Sequence, residues 1–255
     1  MSSPPHTRPE DVPTGVEIGL ESLSFGYPGG PNVLSDISAT IEAGERVGLL
    51  GPSGAGKSTF LLHLNGLLPE PPVTSETEAQ VRINRQPLTV SLASTARQLV
   101  GLLFQNPDDQ LFHATVGRDV AFGPLHLGLD SAEIEARVTE SLAQVGLEDF
   151  ADRDTGRLSL GERKRACLAG LLACRPGCLA LDEPFANLDP RGRQTLLEIL
   201  KAFDGTLILA THDLDIISRL TDRVLVLDDG MLCADGETAQ ILGNDDLLKR
   251  HGLLT

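Results

Sequence analysis

The sequence predicts an α/β fold: a core of alternating strands and helices, a β layer ahead of it and a helical insertion within it. Three observations carry that reading. Near residues 46–67 a short apolar run enters a glycine-rich turn and then a helix. The C-terminal half alternates apolar runs with helix-start signals, as βα units do. Two N-terminal runs, VEIGLESLSF and VLSDISATI, show partial period-two alternation on either side of the turn-forming YPGGPN.

In chain order, residues 1–15 are rich in Pro, Ser and charge and read as a disordered leader. The two alternating runs fill residues 16–41, and residues 46–50 form a buried strand before the helix of about 57–67. Pro69, Pro71 and Pro72 mark 68–78 as a loop, and 81–83 and 99–104 are further strands. Asp130 starts a helix, with Glu133 at the capping-box position; Ile134, Val138, Leu142 and Val145 share one face and Gly146 ends it. A second helix runs from about 159 to 173. Strands at 178–181, 207–210 and 224–227 then alternate with helices from Pro190 and Asp213. Asp229-Gly230 turns the chain into a strand at 231–234, and a short helical tail closes it. The organisation is therefore a leader (1–15), one α/β domain (16–240) with its helical insertion at about 106–175, and a tail (241–255).

Composition excludes several function classes. The 255 residues hold 36 acidic against 21 basic side chains, a formal charge of −15. Binding nucleic acid needs a cationic footprint, and anionic lipid attracts polybasic segments, so neither is an expected partner. No apolar stretch approaches the roughly 20 residues that cross a bilayer, and the N-terminus lacks a signal-peptide core. Cys167, Cys174, Cys178 and Cys233 show no CxxC spacing and read as reduced core thiols.

Residues 51–58, GPSGAGKS, match the G-x-x-x-x-G-K-[ST] pattern in the strand–turn–helix context that the pattern demands. In the loop Gly51, Pro52, Ser53, Gly54, Ala55 and Gly56 the glycines let backbone N–H groups turn inward as an anion nest, and the helix N-terminus adds its dipole. Lys57 reaches the β- and γ-phosphates of a nucleotide, Ser58 ligates Mg²⁺, and Thr59 adds a phosphate contact. The run CLALDEP at 178–184 is a buried strand that delivers Asp182 and Glu183 beside that cradle. Asp182 suits a Mg²⁺ ligand and Glu183 a general base for attacking water.

With these two elements the chain resembles the ATPase subunits of ABC (ATP-binding cassette) transporters over about residues 16–236, which implies a P-loop NTPase with a RecA-like core. LSLGE at 158–162 is similar to the family's signature, ANLD at 186–189 to its D-loop and THD at 211–213 to its switch segment; all occur in family order. The resemblance implies that two cassettes sandwich two ATP molecules head to tail, Ser159 and Gly161 of one serving the nucleotide held by the other. Leu160 and Glu162 depart from the commonest signature, and a carboxylate at Glu162 disfavours contact with an anionic nucleotide. The resemblance further gives Tyr27 adenine stacking, Gln105 a Mg²⁺ contact and a sensing role, His212 the γ-phosphate and attacking water, and Asp189 a bridge between the two sites. His6, His63, His113, His126 and His251 read as surface or packing residues, and the basic run 163–165 as a solvated helix face. Arg191 and Arg193 read as local caps or salt bridges.

The segment FQNPDDQLFHATVGRDVAFGP at 104–124 is similar to the glutamine-loop region of energy-coupling-factor (ECF) importers, most like those of cobalt or nickel systems. Leu111, Phe112, Val116 and Phe122 give it an apolar side, either core or a groove for a membrane subunit's helix. The resemblance thus implies an ATP- and Mg²⁺-dependent subunit on the cytoplasmic face of the membrane. It would pair with a second ATPase subunit and with integral coupling (T) and substrate-binding (S) components. Two alternatives stay open: an ATPase of another ABC transporter class, separated only by 104–124, and a non-transport ABC switch protein, which the acidic charge disfavours.

Overall fold

The computed structural model describes residues 15–254 and contains two sheets. In the smaller one, β1 (Ile18–Gly26) pairs antiparallel with β2 (Asn32–Ile41) and with β4 (Val81–Ile83), which pairs with the two-residue β5 (Gln86–Pro87). β1 departs from strict alternation because its register with β2 shifts at three places. The larger sheet contains β3 (Arg46–Leu50), β6 (Val100–Leu103), β7 (Cys178–Asp182), β8 (Thr206–Ala210), β9 (Arg223–Asp228) and β10 (Met231–Glu237). Its order is β10-β9-β3-β8-β7-β6, parallel apart from β10. Asp229 and Gly230 both have positive φ, +45° and +73°, which suits the tight hairpin to β10. Every residue of β7 and β8 is buried, as continuous apolar runs in a parallel sheet are.

α1 (Lys57–Leu64) lies between the two sheets, which explains why Thr59, Phe60, Leu61, His63 and Leu64 are all buried. His63 is a packing residue there: its Nδ1–H donates to the Thr59 carbonyl at 2.7 Å and its ring meets Phe25 edge-on. The opposite face of the large sheet carries α6 (Pro190–Ala202) and α7 (Leu214–Leu220), then α8 (Thr238–Leu242) and α9 (Asp245–Arg250).

Between β6 and β7 lie α3 (Val116–His126), α4 (Ser131–Gln144) and α5 (Leu160–Ala173). α4 starts as expected: the Asp130 side chain accepts from the Glu133 N–H at 2.9 Å. α2 (Ala93–Leu99) and α3 are additions to the sequence reading. α3 contains Gly117, Gly123 and Pro124, poor helix formers. Close packing explains it, since a Cβ on Gly123 would stand 2.2 Å from the Cys174 sulfur and one on Gly117 3.0 Å from the Ala151 carbonyl.

Two expectations need correction. The basic run is not a solvated face. Lys164 is buried, Arg163 pairs with Asp108 at 3.1 Å, and Arg165 donates to the Val145 carbonyl at the end of α4. A helix packed on two sides has no free face to give these cations. Nor are all four thiols core: Cys167 and Cys178 are buried, but Cys233 lies exposed on the edge strand β10. The leader expected at 1–15 falls outside the described residues except Gly15.

Candidate nucleotide site

Parallel strands deliver their C-terminal loops to one edge of a sheet, and ligands bind there. In the order β3-β8-β7-β6, that edge receives the 51–56 loop after β3, Thr211 and His212 after β8, Asp182 at the end of β7 with Glu183 just beyond it, and Gln105 after β6. Segments more than a hundred residues apart in the chain thus become neighbours. A cavity of about 330 Å³ opens between them, lined by residues 53–59, Val33, Gln105, Asp182 and Glu183.

The loop needs its glycines. Gly54 and Gly56 have φ of +83° and +98°, and Gly56 is the N-cap of α1. Gly51 answers a different constraint, because a Cβ there would lie 2.3 Å from the Leu227 carbonyl. The Lys57 ammonium donates to the carbonyls of Gly51 and Pro52 at 2.7 and 2.9 Å, which places it on the loop beside the cavity. Burial pulls its pKa down, while Glu183 and Asp182 hold it up. Burial also raises Asp182, partly countered by a hydrogen bond with Ser58.

Glu183 sits in the left-handed region at φ +45°, a strained conformation for a side-chain-bearing residue. Its N–H donates to the Ala210 carbonyl at 2.9 Å. Each carboxylate oxygen has one partner: Oε1 accepts from His212 Nδ1–H at 2.7 Å, and Oε2 from the Thr211 hydroxyl at 2.9 Å. His212 is therefore turned to Glu183, with its ring largely exposed. Tyr27 is exposed and its hydroxyl lies 3.3 Å from Thr59 Oγ1, at the end of the cavity's loop.

Ser58, Asp182 and Gln105 offer hydroxyl, carboxylate and amide oxygens, the hard donors that Mg²⁺ prefers. Among the described residues no cluster of three His, Cys, Asp or Glu side chains could hold a metal unaided. The set fits an ion that shares its coordination with phosphate oxygens and water.

The remaining candidates stand apart from this cavity. Ser159 is the exposed N-cap of α5, in a closed capping box. Its hydroxyl accepts from the Glu162 N–H at 3.3 Å, while Glu162 Oε2 accepts from the Ser159 N–H and hydroxyl, both at 2.7 Å. Those hydrogen bonds hold the Glu162 pKa below the ordinary carboxylate range. Gly161 follows within the first turn of α5, against Leu188. Asp189 is also exposed and caps α6, accepting from the Gly192 N–H at 2.7 Å. Arg193 of α6 forms an ion pair with Asp213.

Two side chains that the sequence reading did not use also shape the site. Gln110 takes both roles of its amide at the end of β6, accepting from Phe104 N–H and donating to the Leu102 carbonyl, each at 3.3 Å. It thereby anchors the turn after Gln105. Lys164 reaches from α5 to the chain that follows Glu183. The sequence marks Gln110 only as part of the 104–124 segment and Lys164 only as one of a basic run, and neither pattern shows which backbone groups the side chain will meet.

The phosphate-cradling loop on a parallel sheet edge, with two carboxylates beside it, defines a P-loop nucleotide-binding ATPase fold. The family model described as ABC transporter matches residues 34–186, and the chain belongs to that family. It is 43% identical to the energy-coupling factor transporter ATP-binding protein EcfA of Methanothermobacter thermautotrophicus, over 92% of this chain and 76% of that one. It is equally identical to the cobalt import ATP-binding protein CbiO of Rhodobacter capsulatus, over 92% and 84%. Among solved structures it is similar to CbiO1 of Clostridium perfringens, part of the transporter complex cbiONQ, with a TM-score of 0.77, 33% identity and coverage of 92% and 94%. The dimeric cassette MJ0796 bound to ADP and Pi superposes with a TM-score of 0.75 at 26% identity, covering 87% of this chain and 98% of that one.

Proposed function

We propose that this ABC transporter ATPase is the energy-coupling subunit of an ECF-type importer for a metal ion such as cobalt or nickel, or for a vitamin. The cavity that gathers residues 53–59, Gln105, Asp182 and Glu183 carries the ATPase part of this reading, and the likeness to the EcfA and CbiO proteins supports the importer part. The nest and Lys57 would hold the triphosphate, and Ser58, Asp182 and Gln105 the Mg²⁺, which neutralises phosphate charge when bound. Glu183 takes the proton of the attacking water. Its one-to-one pairing with His212 and Thr211 orients the carboxylate for that step.

Ser159, Gly161 and Asp189 do not line that cavity; they lie at two helix N-termini, Ser159 and Asp189 exposed and Gly161 half-buried. That arrangement suits a site completed by a second ATPase subunit, a copy of this chain or a paralogue, and the dimeric MJ0796 cassette supports it. Closure would require the Glu162 carboxylate to give up the Ser159 hydroxyl to a γ-phosphate.

The 104–124 segment divides into two parts. Val116 is fully buried and Leu111 packs on the core, whereas Phe112 and Phe122 stay exposed in an edge-to-face pair at 4.7 Å. Leu125, three residues after Phe122 on α3, is exposed as well and extends this apolar face. It suits a helix of an integral coupling component, with the chain on the cytoplasmic face of the membrane. Among the described residues no helix is long and apolar enough to cross a bilayer. The test is purification from membranes in mild detergent with identification of the retained integral proteins. Coupling and substrate-binding components of an ECF system support the reading; the membrane subunits of another ABC class overturn the subtype.

A further inference from the structure

Lys164 is a charged side chain that water scarcely reaches, 3% exposed. An ammonium carries three N–H donors, and each is spent on a separate backbone carbonyl. Glu183, Pro184 and Ala186 supply them, each at 3.0 Å. A neutral amine would have only two donors and would turn its lone pair toward the third oxygen. The charged form therefore matches this pocket, even though burial lowers the group's pKa.

The three carbonyls belong to one tight segment, whose residues Glu183 and Asn187 both have positive φ, +45° and +60°. No sheet ladder reaches these carbonyls; the Ala186 N–H also donates to that of Glu183 at 3.2 Å, and the ammonium binds all three. Its neighbours on α5 are anchored elsewhere, Arg163 to Asp108 and Arg165 to the end of α4. Lys164 is five residues, about 7.5 Å of helix rise, from the Ser159 cap.

We propose that Lys164 is a positioning residue that fastens the serine-capped end of α5 to the turn carrying Glu183, so that the two ends of this chain's catalytic apparatus move together. The inference rests on the two-subunit site proposed above. In that arrangement Ser159 touches the nucleotide of the partner, while Glu183 acts on the nucleotide in this chain's own cavity. A shift of α5 on closure pulls three carbonyls at once and re-aims the Glu183 carboxylate. Lys164 thereby links occupancy of one nucleotide site to hydrolysis in the other.

The test is Lys164→Gln, which removes the charge and one donor and draws the polar end back by one bond, with Lys164→Arg as the charge-preserving companion. Nucleotide affinity of the purified chain is expected to stay within threefold. Turnover is expected to fall at least tenfold, and the Hill coefficient for ATP to fall toward one, with partial recovery in Lys164→Arg. A folded Lys164→Gln protein with parental turnover and Hill coefficient overturns the inference. If neither variant folds, hydrogen exchange on the parental chain decides. Peptides covering 160–166 and 183–188 are expected to gain protection at the same concentration of a non-hydrolysable ATP analogue; protection at separate concentrations overturns the link. Failure of the underlying reading looks different: Glu183→Gln would then remain monomeric with ATP and Mg²⁺.

Discussion

Replacing Glu183 with Gln isolates the basicity of one side chain. The amide has nearly the carboxylate's shape, and a residue already at φ +45° pays no new backbone cost. Its carbonyl oxygen can still accept from the Thr211 hydroxyl, which lies 2.9 Å from the present carboxylate. His212 can change tautomer and accept from the new NH₂ across the present 2.7 Å contact. Position is thus retained and proton affinity is lost. A positioned general base contributes about 10²–10⁴ in rate, or roughly 3–5 kcal/mol of barrier. Phosphate release at saturating ATP and Mg²⁺ is expected to drop by that factor. Equilibrium binding of a fluorescent nucleotide should change by less than threefold, since the cradle is untouched. With hydrolysis blocked, ATP is expected to hold two copies together on size exclusion. Turnover within threefold of the parent would show that Glu183 is not the base.

Lys57→Ala removes the cation beside the cavity; at about 1.5–3 kcal/mol per charged hydrogen bond, nucleotide affinity is expected to fall about 10–100-fold by calorimetry, and an unchanged Kd would remove Lys57 from the cradle. The Glu162 carboxyl is expected to titrate below the ordinary glutamate value of about 4.3, because the Ser159 hydroxyl and N–H both bind its ionised form. A depressed folded pKa means that its capping contribution is complete above the unfolded value and is lost as pH falls through the folded one. Carboxyl NMR titration of the parent and of Ser159→Ala checks this, the variant's midpoint moving upward; identical midpoints would refute the assignment. Phe112→Asp is expected to leave phosphate release by the free chain unaltered while reducing the integral protein retained in detergent, because the ring is 64% exposed. Undiminished retention would put the docking face elsewhere.

Much of the fold was readable along the chain wherever local chemistry decides the conformation. The run at 46–50 into GPSGAGKS could be nothing but a strand, a turn and a helix, and Asp130, Asp213 and Asp229-Gly230 mark ends that the structure places at those residues. α3 was not legible, because its glycines and proline speak against a helix, and only packing against Cys174 and Ala151 makes them suitable. The 163–165 run misled for a related reason: a stretch of cations gives no sign of which carbonyls will surround it.

What the sequence by itself determined was the chemistry available: a nest of N–H groups, one lysine, two adjacent acids and a histidine, in a fixed order along the chain. Those choices are local, set by φ freedom, hydrogen-bonding groups and capping. The tertiary structure decided their mutual positions, because the strand order β3-β8-β7-β6 converts distance along the chain into adjacency at one sheet edge. It also decided that Lys164 is buried against the Glu183 turn, that the Ser159 hydroxyl is held by Glu162, and that Phe112 is left facing solvent. Those outcomes depend on which surfaces the packed elements bring together, and no local pattern encodes them.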